Sequence, residues 1–125
     1  MKTLLYVLVL PALLFLAGCW QRDVGRSYYP SGKLRTEATV RDGLLDGPSA
    51  MFYENGAIMS EASYRAGIVD GKTTSFYENG THKAEATYSN GVLNGVSINW
   101  SDDGQELSKT IFINGVIKND TNNIR

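Results

Sequence analysis

Three glutamates recur at a constant spacing of 24 residues, and paired carboxylates are a common catalytic device. They are Glu37, Glu61 and Glu85. If each spacing corresponds to two antiparallel strands, neighbouring glutamates lie about 9.6 Å apart at a strand separation of about 4.8 Å. That distance is too long for proton sharing and exceeds the ~5 Å of a retaining glycosidase. The column is therefore expected to be a solvated stripe, balanced by lysine or arginine on adjacent strands, and a candidate partner-binding surface.

The only histidine gives no better support for catalysis. His82 falls at a position where the equivalent residues elsewhere in the chain are leucine, isoleucine and glutamate. No sequence typical of a nucleophile elbow is present. A second polar column is expected to accept hydrogen bonds from local backbone amides and not to converge on calcium; it comprises Asp46, Asp70 and Asn94. We therefore expect no catalytic residue, no metal site and no cofactor.

Cys19 is the only cysteine, which excludes an intrachain disulfide. It follows a lysine at position 2 and an almost unbroken apolar run from Leu4 to Ala17. The run is shorter than the roughly 20 apolar residues that a membrane-spanning helix needs. Its order of basic, apolar and small residues is typical of a secretory signal.

The residues Leu16-Ala17-Gly18-Cys19 resemble a bacterial lipobox. The resemblance implies cleavage between Gly18 and Cys19 and acylation of the cysteine, for example with palmitate. Two or more acyl chains anchor a protein stably to a membrane, and acylation also removes the free thiol. An aspartate after the cysteine retains lipoproteins of this type in the inner membrane. Trp20 stands there instead, so we expect the outer membrane, facing the periplasm.

The charge distribution of the sequence does not predict binding to a membrane surface or to nucleic acid. The chain has 12 basic and 13 acidic residues, with a net charge of −1. It contains no cluster of lysine and arginine that would bind phosphates or anionic lipids. We therefore expect no nucleic-acid partner, and membrane attachment through the lipid alone.

The pentapeptide Phe-Tyr-Glu-Asn-Gly occurs twice, at residues 52–56 and 76–80, and belongs to a longer repeat. Two columns of glycines, which we interpret as turn residues, share its step of 24 residues. The columns are Gly32, Gly56, Gly80 and Gly104, and Gly43, Gly67, Gly91 and Gly115. Such self-similarity indicates an array of about four repeats whose copies stack against one another.

Each repeat contains two turn signals, and Asn-Gly or Asp-Gly supplies the positive φ angles of tight hairpin turns. Between turns, apolar or small residues alternate with polar ones, as from Leu34 to Val40, which is the period of a strand. The sequence therefore predicts an all-β fold, an elongated antiparallel β-meander of about four 24-residue hairpin repeats with roughly eight strands. Bulges or close backbone approaches are expected at Gly47, Gly71 and Gly95.

Two aromatic columns stand side by side at the end of each first turn. Phe52 and Phe76 directly precede Tyr53 and Tyr77, and alternation places the two columns on opposite faces of a sheet. One column is expected to pack, and the other to form a half-exposed tyrosine row of Tyr29, Tyr53 and Tyr77. Tyrosine is enriched in protein interfaces, so this row is a second candidate partner-binding surface. The sequence does not decide which face binds.

The spacing Tyr-x-x-Gly followed by Gly-x-x-[Asp/Asn]-Gly resembles the bacterial variant of the MORN repeat (membrane occupation and recognition nexus). The clearest matches are residues 53–56 with 67–71 and residues 77–80 with 91–95. The first unit departs at Pro48, where a lysine or a similar residue is usual, and the fourth has Ser101 and Asn119 instead of tyrosine and glycine. The fourth unit is therefore expected to fray or to cap the array.

The resemblance implies an open β-sheet with no shared enzymatic activity, in a family that includes antitoxins and immunity proteins. We expect a signal peptide at 1–18, a lipidated tether at 19–27, a repeat domain at 28–117 and a polar tail at 118–125. The expected function is a non-enzymatic envelope lipoprotein that binds a protein partner, most concretely a toxin that it neutralises. An envelope scaffold is the alternative, and an enzyme acting on lipid or peptidoglycan is the least favoured. Pairing of two copies through sheet edges is left open.

Overall fold

A computed structural model describes residues 22–120, and the regular structure in this range is entirely β-strand. The strands are β1 (Asp23–Tyr28), β2 (Leu34–Arg41), β3 (Leu44–Phe52), β4 (Ile58–Arg65), β5 (Ile68–Val69), β6 (Gly71–Phe76), β7 (His82–Ser89), β8 (Val92–Trp100), β9 (Glu106–Ile113) and β10 (Val116–Asp120). They form one antiparallel sheet in which each strand pairs with its neighbours in the chain. The predicted all-β hairpin meander is confirmed.

The sheet has nine strand positions instead of the roughly eight expected. Strands β5 and β6 both pair with β4 and share one position, and the additional strand is β1, in which Asp23 lies opposite Val40. The sheet therefore begins before the boundary predicted at residue 28, inside the segment predicted as a tether. Strand β10 likewise extends past the boundary predicted at residue 117.

The hairpin turns lie at two opposite ends of the sheet. The proximal end carries two-residue turns at 42–43, 66–67, 90–91 and 114–115. Strand β1 begins at this end, because Asp23 is opposite Val40, next to the first of these turns. The distal end carries three-residue turns at 30–32, 54–56, 78–80 and 102–104.

Positive φ angles shape both kinds of turn. All eight turn glycines have φ between +78° and +90°. At the proximal end the preceding residue also has a positive φ of 48° to 52°; these residues are Asp42, Ala66, Asn90 and Asn114. Two consecutive positive φ angles define the type I′ turn, whose twist matches that of the flanking strands.

Close approaches occur at the glycines inside the strands. Gly47 and Gly95 have φ of +136° and +137°, and a Cβ on Gly95 would lie 2.9 Å from the Cβ of Thr87. The pairing register shifts at Thr39 and at Thr87. Gly71, with φ of +110°, follows the interruption between β5 and β6. The predicted bulges or close approaches are thus present at these glycines.

The sheet is a single layer without a buried core. No side chain within residues 22–118 is buried; all are half-buried or exposed. The packed face expected for Phe52, Phe76 and Trp100 is therefore only half-buried. No helix that could span a membrane occurs in the part of the chain that the structure describes. The stability therefore comes from contacts between half-buried side chains on adjacent strands, from ladder hydrogen bonds and from links between neighbouring repeats.

Candidate functional site

The tyrosine row joins successive repeats at the distal end. Its hydroxyl groups donate to backbone carbonyls 23 residues further along, from Tyr29, Tyr53 and Tyr77 to Phe52, Phe76 and Trp100, at 2.7, 2.8 and 2.9 Å. The three rings are half-buried. The ammonium group of Lys83 also lies 5.5 Å from the centre of the Tyr77 ring. These contacts favour a structural role for the row over the predicted partner contact.

A second set of links joins repeats at the proximal end. Side-chain oxygens of Asp46, Asp70 and Asn94 accept the N–H groups of Ala66, Asn90 and Asn114 at 3.4, 3.3 and 3.5 Å. Beside them the N–H of Gly67 donates to the carbonyl of Leu45 at 2.7 Å, and the next two turns repeat this bond at 2.8 Å. The column predicted to bind local amides therefore binds amides of the following repeat, because the next turn lies against this strand.

Arginines accompany the two acidic members of this column. Arg41 Nε lies 3.0 Å from Asp46 Oδ2, and Arg65 Nη2 lies 3.2 Å from Asp70 Oδ2. The third repeat has a serine at the position of these arginines, and its acceptor is the uncharged Asn94. An acid thus occurs only where an arginine neutralises it, so the proximal links add no net charge.

The glutamate column lies on one side of the sheet, which we term the glutamate face. The row of opposed residues across the strands is Glu37, Ala50, Glu61, Thr74 and Glu85. Successive glutamates are therefore two strands apart, as the sequence predicts. Arg26 Nε and Glu37 Oε2 are 2.7 Å apart, and so are Lys72 Nζ and Glu85 Oε2. Basic residues on adjacent strands thus balance two of the three glutamates.

Glu61 differs from the other two. Its neighbours across the strands are Ala50 and Thr74, and its side chain forms no ion pair or hydrogen bond within residues 22–120. The cause is visible in the repeat, because Pro48 stands where the next repeat has Lys72. The side chain borders a shallow groove on the glutamate face, lined also by Pro48, by Glu37 and by Lys72, whose ammonium group is paired with Glu85. The arrangement presents one carboxylate without an ion pair beside an open groove.

Other ionisable groups do not assemble a reactive centre in the described chain. His82 is exposed at the start of β7, with its ring edge-on to Phe76 at 5.0 Å and to Trp100 at 5.6 Å. Within residues 22–120 no three histidine, cysteine, aspartate or glutamate side chains converge as metal ligands. Hydrogen bonds from the hydroxyl of Ser101 and the N–H of Gln105 lower the pKa of Asp103, a carboxylate in an exposed turn.

Sequence reasoning missed a row of exposed aliphatic side chains at the proximal end. This aliphatic row comprises Leu44, Ile68, Val92 and Val116, with exposed fractions of 52%, 46%, 45% and 60%. Each member directly follows a proximal turn glycine and contacts the next turn where one exists. A Cβ added to Gly91, for example, would lie 3.1 Å from Ile68 Cγ2. The signal was present in the sequence as another column with a step of 24 residues.

The predicted cleavage and lipidation site, Gly18 and Cys19, lies outside the described residues, and so does the end of the predicted tail. Acylation of Cys19 therefore stays a prediction. The structure does show where the chain enters the sheet. Asp23, four residues after Cys19, begins β1 at the proximal end.

Comparison with known families agrees with this architecture. The family described as "MORN repeat variant" matches residues 24–42, 45–66 and 69–90, together half of the chain. Each matched segment contains two adjacent strands and the distal turn between them. The fourth hairpin lies outside the match but keeps the proximal backbone link, from Gly115 to Leu93 at 2.8 Å. No match was found among curated proteins. With half of its residues matched, the chain belongs to the MORN repeat variant family.

Proposed function

We propose that the protein is a lipid-anchored bacterial envelope protein, facing the periplasm from the outer membrane, whose sheet binds a protein partner. In its most concrete form it is an immunity-type protein that neutralises a toxin. The anchor is supported by the Leu-Ala-Gly-Cys sequence at residues 16–19. The observation that carries the partner role is the absence of any buried side chain within residues 22–118. Both faces of the sheet are uncovered surface on which another protein can pack.

The glutamate face is the better candidate for the contact. The tyrosine hydroxyls on which the alternative surface depends already bind the backbone of the next repeat. Glu61, by contrast, offers a carboxylate that forms no ion pair within the described residues, beside a groove whose one lysine, Lys72, is already paired with Glu85. A lysine or arginine of the partner that reached Glu61 would supply the missing charge, and complementary charges favour a specific register between partners.

In this proposal the protein acts by binding and not by catalysis. The three glutamates are separated by uncharged residues on intervening strands, a geometry that does not support proton sharing. His82 lies between two aromatic rings. Binding alone can neutralise a toxin, because the bound protein covers a surface that the toxin needs for its activity.

The anchor is tested by changing Cys19 to serine. Labelled palmitate should be incorporated into the wild-type protein and not into the Cys19→Ser variant, and only the wild type should fractionate with membranes. Incorporation that survives the substitution would remove the lipoprotein part of the proposal.

The partner role is tested by purifying the protein from intact envelopes through a C-terminal tag and identifying what accompanies it by mass spectrometry. We expect one stoichiometric partner that is lost in Glu61→Lys and retained in Glu54→Lys, a matched change at an exposed distal turn. Co-production of the protein should then rescue cells from that partner. Recovery of abundant envelope-assembly proteins alone would favour a scaffold, and an unchanged partner in Glu61→Lys would exclude the glutamate face.

A further inference from the structure

We infer that the proximal end of the sheet rests on the lipid bilayer, with the aliphatic row as the contact. The inference rests on the proposed anchor at Cys19 and adds an orientation to it. The proximal turns then face the acyl-chain boundary, and the distal turns point away from the membrane. The glutamate face stands upright between them and remains open to a partner.

The first argument is the position at which the chain enters the sheet. Asp23 begins β1 opposite Val40, beside the first proximal turn. Asp23 is only four positions after Cys19, so the two can be at most about 14 Å apart even when the chain is fully extended. That reach is shorter than β3 or β8, each of nine residues. An anchor at Cys19 therefore holds the proximal end, and not the distal end, at the membrane surface.

The second argument is the chemistry of the two ends. The aliphatic row places one branched apolar side chain at every proximal turn, each about half exposed. Isolated exposed apolar residues are ordinary in soluble proteins, whereas a contiguous set usually marks a contact. The positions that directly follow the distal turn glycines hold no large aliphatic side chain; they are Lys33, Ala57, Thr81 and Gln105. The polar residues of the distal turns themselves are all exposed: Ser31, Glu54, Asn55, Glu78, Asn79, Asp102 and Asp103. Apolar side chains thus line the end that the anchor brings to the bilayer.

The third argument is electrostatic. Two acids near the aliphatic row, Asp46 and Asp70, are each paired with an arginine. The remaining exposed charges at this end are Arg22, Asp23, Asp42 and Lys118, which sum to zero. Because its exposed charges sum to zero, the proximal end is neither attracted to nor repelled by anionic headgroups. The contact should therefore form on zwitterionic lipid and should not weaken with salt, because apolar burial is not screened by ions.

Four half-exposed aliphatic side chains cannot hold a protein to a membrane unaided. A tether changes this, because a linked surface is present at a high effective concentration. The aliphatic row consequently orients a protein that the lipid has already attached.

The test uses residues 19–125, the mature chain of the proposal, produced in the cytoplasm so that Cys19, its only cysteine, keeps a free thiol. This thiol is coupled to a maleimide-bearing lipid in phosphatidylcholine vesicles. Because the coupling is chemical and does not depend on acylation in cells, the orientation is tested separately from the anchor. The vesicles also contain phosphatidylcholine with a photoactivatable diazirine in its acyl chain, and labelled peptides are identified by mass spectrometry. We expect several-fold more adducts on peptides carrying Leu44, Ile68 and Val92 than on those carrying the turns at 54–56 and 78–80.

A double variant and a matched control complete the test. Ile68→Ser with Val92→Ser should lower proximal labelling several-fold. Leu107→Ser, at a residue that is 59% exposed at the distal end of β9, should leave it unchanged. Circular dichroism of all forms should stay the same, and added salt or anionic lipid should not alter the labelling.

Equal labelling of the two ends, preferential labelling of the distal turns, or a requirement for anionic lipid would each overturn the inference. The inference would also be overturned if the lipid probe did not label the aliphatic row and the row instead crosslinked to a second copy of the chain. Failure of palmitate incorporation at Cys19 would instead remove the anchor proposed above and leave this result intact.

Discussion

The two ends of the hairpins join neighbouring repeats by different chemistry. At the distal end each link is made by side chains, led by a tyrosine hydroxyl bond of 2.7 to 2.9 Å. At the proximal end the shortest link is backbone to backbone, from a turn glycine at 2.7 to 2.8 Å, and the side-chain bonds are longer at 3.3 to 3.5 Å. The distal junctions thus depend on side chains, chiefly the tyrosines, with Asn79 and Thr81 adding bonds to the carbonyl of Asp102 at 3.0 and 2.9 Å. The proximal junctions depend on a backbone conformation that glycine provides.

This difference explains how the array ends. Ser101 stands where a fourth tyrosine link would begin, and its hydroxyl bonds within its own turn, to Asp103 and to the N–H of Gln105. Lys118 stands in the column of Asp46, and an ammonium group cannot accept a hydrogen bond. Gly115 nevertheless keeps its backbone link to Leu93. The fourth repeat is therefore joined to the third but offers no side-chain link to a further one, which makes it a cap.

The largest expected loss of stability comes from a substitution that disrupts a proximal turn. Gly91 has φ of +83°, and a Cβ there would lie 3.1 Å from Ile68 Cγ2. Gly91→Val should lower the free energy of unfolding by about 3 kcal/mol, because it combines the cost of positive φ with overpacking. Urea denaturation followed by circular dichroism would measure the loss.

The matched distal change separates these two causes. Gly56 has φ of +90° with no atom within 4 Å of an added Cβ, so Gly56→Val should cost only about 1–2 kcal/mol from backbone strain. Equal losses in the two variants would show that crowding by the aliphatic row is unimportant. Unchanged unfolding in both would contradict the turn assignment itself.

Removing one distal link should have the next largest effect. Tyr53→Phe deletes the hydroxyl that donates to the carbonyl of Phe76 at 2.8 Å, and a lost hydrogen bond of this kind costs about 1 kcal/mol. Tyr28→Phe is the control, because that ring is 57% exposed and its hydroxyl has no partner within residues 22–120. Thermal unfolding should separate the two variants. Similar values would mean that the tyrosine hydroxyl does not support the distal junction.

A smaller and opposite effect is expected at Ala66. This residue has φ of +48° in a type I′ turn where the other three repeats have Asp42, Asn90 and Asn114. Asparagine tolerates the left-handed conformation better than alanine, so Ala66→Asn should stabilise the protein by about 0.5 kcal/mol. The reciprocal Asn90→Ala should destabilise it by a similar amount. If both changes act in the same direction, turn conformation is not the controlling factor.

The smallest effect concerns the distal turn of the cap. The pKa of Asp103 lies below its ordinary value, chiefly because the Ser101 hydroxyl donates to the carboxylate and also because the Gln105 N–H does. Ser101→Ala should raise this pKa, as measured by NMR titration of the side-chain carboxyl. The stabilisation is present above the ordinary pKa of an aspartate and is lost as the pH falls through the lowered pKa. The group is exposed, so global stability should change little; an unmoved pKa would contradict the assigned hydrogen bond.

The hairpin fold could be predicted because two glycine turn signals recur in constant register, and each signal acts locally. Strand β1 could not be placed in the same way. No turn signal precedes Asp23, and only pairing with β2 makes residues 23–28 a strand. The links between repeats at the distal and proximal ends could not be predicted from the sequence for a related reason. Tyr53 and Asp46 bind backbone groups 23 and 20 residues away, and the direction of those side chains depends on the twist of the assembled sheet.

The candidate surface could be predicted in part. The separation of the glutamates follows from strand spacing, so it could be predicted from the sequence alone. That Pro48 replaces a lysine was also visible in the repeat. Its consequence for Glu61 required the register, which places Ala50 and Thr74 on either side of that carboxylate. The aliphatic row became informative only when β1 showed which end of the sheet is nearest the N-terminus.

The linear pairing of the strands has a mechanical consequence. Each strand position bonds only to its neighbours in the chain, and β1 and β10 lie at opposite edges of the sheet. Tension applied between these edges would peel strands away from an edge in sequence, because nothing behind the sheet holds them. Each repeat released in this way adds about 80 Å of contour length for its 24 residues. A protein held at one edge would therefore unfold one repeat at a time under tension, and would lengthen in steps between its anchor and a bound partner.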